Sequence, residues 1–193
     1  SKNTSVDANV YLQIEPIKNL KFKTVFAVNY GGSNYRSFSP IYKFTPQSGN
    51  GVTSVNQSHG NGTSLVWTNT LTYDFDIKSH HISALIGSET SKYDGSSTGS
   101  YGLNLTAGFD DWEHAYVANT EMSNENRKIS GGPYDSTRGQ SFFARMGWSW
   151  KDRYMVNATM RADGSSKFAR GHRWGYFPSV SAGWTITEED FMK

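Results

Sequence analysis

The chain has 193 residues, 15% of them aromatic and 36% hydrophobic, a formal net charge of +2 and no cysteine. That length suits one domain with a core of its own. The charge is too small and too dispersed for nucleic-acid binding, the lack of thiols excludes a disulfide framework or thiolate metal site, and no apolar run approaches the ~18 residues of a membrane helix.

Strand periodicity runs through the chain, and helical periodicity is nearly absent. Val6, Ala8, Val10, Leu12 and Ile14 alternate with polar residues, and Pro16 to Asn19 reads as a turn. Leu20, Phe22, Thr24, Phe26, Val28 and Tyr30 share the face of a second strand. A polar stretch from Gly31 to Ser64 separates it from a third, marked by Leu65, Trp67, Leu71, Tyr73 and Phe75. A tight connection at Asp76 to His80 leads to a fourth through Ile82, Ala84 and Ile86. After a second polar stretch, from about Ser91 to Gly139, strand five carries Phe142, Ala144, Met146, Trp148 and Trp150. The short turn Lys151-Asp152-Arg153 precedes strand six, with Tyr154, Val156, Ala158 and Met160 on one face and Asn157, Thr159 and Arg161 on the other. Asp163 to Arg173 reads as a loop, and the last strand sets Val180, Ala182, Trp184 and Ile186 against Ser179, Ser181, Gly183 and Thr185.

The connections run short, long, short, long, short, medium. In an up-and-down meander every short turn then falls at one end and every long loop at the other, as in outer-membrane barrels. The strands are expected to span about nine to eleven residues, the length of a tilted bilayer-crossing strand. Mean hydropathy of −0.62 is compatible with such a wall, because alternate residues face water. Aromatic rings near strand ends, such as Trp67, Trp150, Tyr154, Trp174 and Trp184, suit interfacial girdles. The fold expected is all-β, an antiparallel meander of about seven long strands forming part of a large transmembrane β-barrel. The alternative is a soluble β-sandwich that binds carbohydrate through exposed aromatics. Seven strands are odd in number and leave two open edges, so residues 1–193 are expected to be one segment of a barrel domain. No signal peptide is read in them.

Candidate chemistry is sparse. His80 and His81 are adjacent and point to opposite strand faces, a poor chelating pair. Asp110-Asp111-Trp112-Glu113 is the sharpest acidic cluster, without a framework that would raise one pKa for catalysis. Asp163-Gly164-Ser165-Ser166 reads as a turn. Glu188-Glu189-Asp190 suits the first turn of a short helix, with Thr187 as N-cap, and equally a solvated charged turn. No catalytic residue, cofactor or metal site is expected.

One stretch carries a resemblance. Arg161, Asp163, Gly164, Ser165, Ser166 and Phe168, then Arg173, Trp174, Gly175, Phe177, Pro178 and Ser179 through Gly183 to Trp184, then Glu188, Glu189, Phe191 and Met192, resemble the SusC/RagA family of TonB-dependent outer-membrane transporters. The resemblance implies a large barrel of about 22 strands in the bacterial outer membrane of Bacteroidetes, in contact with its lipid, importing oligosaccharides or peptides. A SusD-like surface lipoprotein would lid it, and TonB would act through a plug domain, though neither a plug nor a TonB box is read in residues 1–193. In that setting the motif from Arg161 to Trp184 is structural, and the outer-loop aromatics Tyr101, Trp112, Tyr116 and Tyr134 are candidates to touch ligand or lid.

Overall fold

The computed structural model describes residues 1–121, 123, 125–133 and 136–192. Ten strands follow the chain: β1 (Lys2–Ile17), β2 (Leu20–Ser39), β3 (Tyr42–Thr45), β4 (Ser48–Asn50), β5 (Ser54–Ile77), β6 (His80–Leu103), β7 (Arg127–Pro133), β8 (Thr137–Trp150), β9 (Tyr154–Ser165) and β10 (Trp174–Trp184). Eight of them form one sheet in the order β1-β2-β5-β6-β8-β9-β10, with β7 added to β6, and β3-β4 is a separate hairpin. The long strands thus follow chain order, as a meander requires. They do not divide into the two facing sheets of a sandwich.

The strands are longer than the alternation predicted. β5 and β6 have 24 residues each and β2 has 20, so strand extends well into both polar stretches. At about 3.3 Å per residue a 24-residue strand extends ~80 Å, roughly twice what a bilayer needs. Polar residues on both faces erase the period-two signal, while the backbone ladder continues. The loop predicted from Asp163 to Arg173 starts three residues later, at Ser166, because Asp163 pairs with Gly175 and Gly164 with Trp174.

The chain forms two compact units. One comprises Ser1–Val6, Asn29–Thr63 and Asp94–Ser136, the other Asp7–Val28, Ser64–Tyr93 and Thr137–Lys193.

In the second unit, antiparallel pairing of β6, β8, β9 and β10 aligns residues in rows. On one face lie Ile82, Trp148, Val156 and Ala182, then Ala84, Met146, Ala158 and Val180, then Ile86, Ala144, Met160 and Pro178. This face is exposed and apolar, with Val180 74%, Ile86 58% and Met146 55% accessible. The other face carries Ser83, Gly147, Asn157 and Ser181, then Leu85, Arg145, Thr159 and Ser179. An exposed greasy face in perfect register, backed by a small and polar one, is what a wall between lipid and water requires.

Aromatic rows bound that face. His80, Trp150, Tyr154 and Trp184 align across four strands, with ring centroids 6.2, 5.6 and 6.3 Å apart and planes within 20°. Toward the other end Trp174 stacks on Phe142 at 6.0 Å. Trp174 and Trp184 are ten steps apart on β10, about 33 Å along the strand and about 25 Å at a 40° tilt, the height of an outer-membrane apolar band.

The short turns gather at the Trp184 end of this unit. Asn19, Lys78, Lys151 and Asp152 all have positive φ, between 52° and 67°, as tight turns matched to strand twist demand. The Lys151 amide donates to the Ser79 carbonyl at 2.8 Å, and the Thr185 amide to the Arg153 carbonyl at 2.7 Å, so consecutive turns are tied together. After β10 come the 3-10 turns Ile186–Glu188 and Asp190–Met192. Thr187 lies inside the first of these, not at its N-cap position. That position belongs to Thr185, whose hydroxyl is not a cap and donates to the Asp152 carbonyl at 3.1 Å.

In the first unit the segment between β6 and β7 folds onto β5. The Leu105 amide donates to Thr53 Oγ1 at 2.6 Å, the Asn104 amide to the Thr53 carbonyl at 3.0 Å and the Val117 amide to Gln57 Oε1 at 2.8 Å. Val55 and Ala115 are fully buried. Arg127 closes the segment by donating from Nε to Thr120 Oγ1 at 3.1 Å and from Nη2 to the Ala118 carbonyl at 2.9 Å.

Candidate functional site

Two arrangements of side chains stand out, one in each unit. The first is a groove of about 650 Å³ in the first unit, lined by strand and loop residues that include Lys2, Asn34, Arg36, His59, Trp112 and Tyr116. Alternation on β2 puts Asn34 and Arg36 on one side, and alternation on β5 does the same for Gln57 and His59. The Arg36 guanidinium lies 4.2 Å from the ring centroids of both Trp112 and Tyr116. Its Nη1 donates to the Ala115 carbonyl at 3.5 Å. His59 Nδ1 donates to Asn34 Oδ1 at 2.7 Å, since an amide oxygen only accepts.

The loop that delivers the two rings is braced by Asp111. Its carboxylate accepts the His114 amide and the His114 Nδ1–H, both at 2.8 Å. The His114 side chain, followed by its amide, holds the Asp111 pKa below the ordinary carboxylate value. Asp111 of the acidic cluster therefore shapes the loop. The Asn119 amide side chain donates to the His114 carbonyl at 2.8 Å and extends the brace.

Of the four predicted loop aromatics, the structure brings Trp112 and Tyr116 together. Tyr101 stands on β6 opposite Lys128 and does not line the groove. Tyr134 lies outside the described residues. Arg36, Lys2 and His59 were not picked out from the sequence, although Arg36 is the lone charged residue between Gly31 and Tyr42.

The second arrangement is on the polar face of the second unit, where Glu89, Ser141, Asp163 and Gly175 form one row and Gly87, Phe143, Arg161 and Phe177 the next. Arg161 Nε donates to both Asp163 carboxylate oxygens at 2.7 and 2.9 Å, and Nη2 donates to Ser141 Oγ at 3.2 Å. Glu89 Oε1 is 3.9 Å from the guanidinium, and Glu89 Oε2 accepts from Thr68 Oγ1 at 3.2 Å. The guanidinium also sits 5.6 Å from the Phe143 ring centroid. The Arg and Asp of the motif are thus one cross-strand cluster on β9 and its neighbours.

The other motif residues are packing and turn residues. A side chain at Gly164 would meet the Trp174 ring at 3.0 Å, and one at Gly175 the Phe177 ring at 2.9 Å. The Phe168 carbonyl accepts from Arg173 Nε at 3.2 Å, and the Ser165 amide donates to the Arg173 carbonyl at 3.0 Å, closing the β9–β10 loop. Pro178 sits opposite Met160 and Gly183 opposite Met155. Trp184 Nε1 donates to Glu189 Oε1 at 3.1 Å, the same oxygen that accepts from the Tyr154 hydroxyl at 2.6 Å.

The histidine pair points both ways, as alternation requires. His80 Nδ1 accepts from Trp148 Nε1 at 3.1 Å, whereas His81 Nδ1 bonds Asp76 Oδ1 at 2.8 Å. Both sit at the start of β6, beyond the Lys78-Ser79 turn. Among the described residues no group of three or more His, Asp or Glu side chains is placed to hold a metal ion.

The chain is similar to known proteins along its length. It is 28% identical over 192 residues to the TonB-dependent receptor P26 of Formosa agariphila, which covers 95% of this chain and 18% of the relative. Over 53 residues it is 51% identical to the TonB-dependent receptor SusC of Bacteroides thetaiotaomicron, covering 28% of this chain and 5% of SusC. A structure of the RagAB peptide transporter superposes on 99% of this chain and 21% of its own with a TM-score of 0.83 at 22% identity. The siderophore receptor PiuA of Acinetobacter baumannii shares the fold more distantly, with a TM-score of 0.53 at 11% identity. The chain spans about a fifth of the length of the P26 relative. A family model for the TonB dependent receptor-like β-barrel matches residues 1–191, and with the lipid-facing rows and the girdles in place, this chain belongs to that outer-membrane barrel family.

Proposed function

We propose that this chain is part of the barrel wall of a SusC-type importer, which carries oligosaccharides or peptides across the outer membrane under a SusD-like surface lipoprotein. TonB acts on such an importer through a plug domain, and the chain itself contributes no catalysis and no cofactor. The observation that carries this reading is the register of β6, β8, β9 and β10, which lays an apolar face against lipid and a polar face against the lumen. The Arg161–Asp163 cluster on the polar face is available to the plug or to permeating ligand. Trp112 and Tyr116 present ring surface in a groove where ligand or lid would rest.

The test uses the full-length transporter in its own host. Deleting it abolishes growth on one class of glycan or peptide, and restoring it brings growth back. Trp112→Ala combined with Tyr116→Ala lowers ligand affinity by about tenfold. Unchanged growth after deletion on every glycan and peptide source would sink the import reading, and unchanged affinity in the double variant would remove ligand contact from the groove.

A further inference from the structure

The groove in the first unit has a chemistry of its own. Its charged lining residues are Lys2 and Arg36, with His59 beside them, and among the described residues no Asp or Glu lines it. A guanidinium carries five N–H donors. Here the Ala115 carbonyl takes one of them, the two rings lie over the cation, and among the described residues no carboxylate pairs with Arg36. An arginine held by aromatic rings loses little freedom when it binds, and its remaining donors form a fork that matches a carboxylate, sulfate or phosphate. Trp112 and Tyr116 are 53% and 44% exposed, which leaves ring surface for the apolar face of a sugar. Thr98 and Ser100 add hydroxyls to the lining.

The main chain argues for a saccharide over a peptide. A peptide commonly docks by adding a strand to an open sheet edge. The strands that supply most of this groove's lining, β2, β5 and β6, are interior to the sheet, and the edge strands β1 and β7 reach it only through Lys2 and Ile129. Recognition therefore falls to side chains: a cationic fork, aromatic faces and hydroxyl or amide groups. We infer that this groove binds an anionic saccharide, one bearing uronate, sulfate or sugar phosphate. Two sources supply that chemistry, a free acidic glycan and the headgroup of an anionic glycolipid in the outer leaflet.

The inference concerns binding and does not depend on import, so the two are measured separately on the full-length transporter. Purified protein is titrated with an oligogalacturonate, a maltooligosaccharide of equal length and poly-glutamate. In parallel it is placed in nanodiscs containing lipopolysaccharide or only phosphatidylglycerol, with tryptophan fluorescence as readout. Binding of the oligogalacturonate, weakened about tenfold or more by Arg36→Gln and falling with salt, assigns a free glycan. A response to lipopolysaccharide alone, lost in Arg36→Gln, assigns the glycolipid. Arg36→Lys keeps the charge, loses the fork and weakens binding as well, and heat-modifiable gel migration confirms that each variant is folded. Equal binding of the neutral sugar or of poly-glutamate, or binding indifferent to Arg36, overturns the inference. Intact uptake with no Arg36-dependent binding overturns it too while sparing the import reading, and Arg36-dependent binding without uptake does the reverse.

Discussion

The Tyr154 hydroxyl donates to Glu189 Oε1 at 2.6 Å, joining the first residue of β9 to the turn that follows β10. Arg153 Nη1 reaches the other oxygen of the same carboxylate at 3.3 Å. Glu189 therefore clamps three groups at the turn end of the wall, and the Tyr154 hydroxyl, then Trp184, then the Arg153 charge hold its pKa below the ordinary value. A carboxylate with a depressed folded pKa contributes stability above its unfolded pKa and loses it as pH falls through the folded one. Glu189→Gln is expected to lower the temperature at which the folded barrel loses its compact gel migration by a few degrees at neutral pH. The difference from the wild type should shrink below about pH 4. Equal melting at pH 7 would show that the clamp contributes nothing.

The same carboxylate shows why part of the structure was hidden in the sequence. The acidic run after β10 looked like a helix start because carboxylates favour helix N-termini. In the fold Glu189 is committed to Tyr154, a partner 35 residues earlier, and no local pattern encodes that pairing. The meander, the short turns and the lipid-facing alternation were legible because each is a local property of period-two strands. The upper parts of β2, β5 and β6 were not, since Gly, Ser, Thr and Asn on both faces leave no hydrophobic contrast. Arg36 and Trp112 meet across 76 positions, so the groove emerged only when the strands were paired.

Face assignment predicts asymmetric tolerance to charge. Val180→Arg places a cation on the apolar face near mid-band and is expected to cost about 2–4 kcal/mol, whereas Ser181→Arg, one residue on and facing the lumen, should cost far less. Urea titration of the transporter folded into lipid vesicles measures both. Similar costs for the two variants would refute the assignment of faces.

Gly87 is a packing glycine. A Cβ there would fall 2.4 Å from the Phe143 ring and 3.0 Å from the Asn69 carbonyl. Gly87→Ala should destabilise the barrel by about 1–3 kcal/mol, as overpacking generally does. Pairing it with Phe143→Leu should recover much of the loss, because the flat ring is the nearer obstacle. Failure of the pair to recover would point to the backbone carbonyl as the limiting contact.

The Asp111 brace predicts a pH response in the loop. Its depressed pKa, caused first by the His114 side-chain hydrogen bond, means the brace persists at neutral pH and is lost as pH falls through the folded value. Asp111→Ala should speed hydrogen exchange at the His114 amide and weaken any ligand response that depends on Trp112. Asp111→Asn, which can still accept from that amide, should lie between the two. Unaltered exchange in Asp111→Ala would mean that the loop is held by Asn119 instead.

The row of His80, Trp150, Tyr154 and Trp184 runs at right angles to its strands, following the hydrogen-bonded register. Strands of an outer-membrane barrel lean about 40° from the bilayer normal, so a perpendicular row cannot lie parallel to the membrane plane. Across three interstrand gaps of about 4.8 Å, it changes depth by roughly 9 Å. The aromatic girdle at this end is a staircase rather than a ring, with His80 and Trp184 on its end steps at different distances from the bilayer centre.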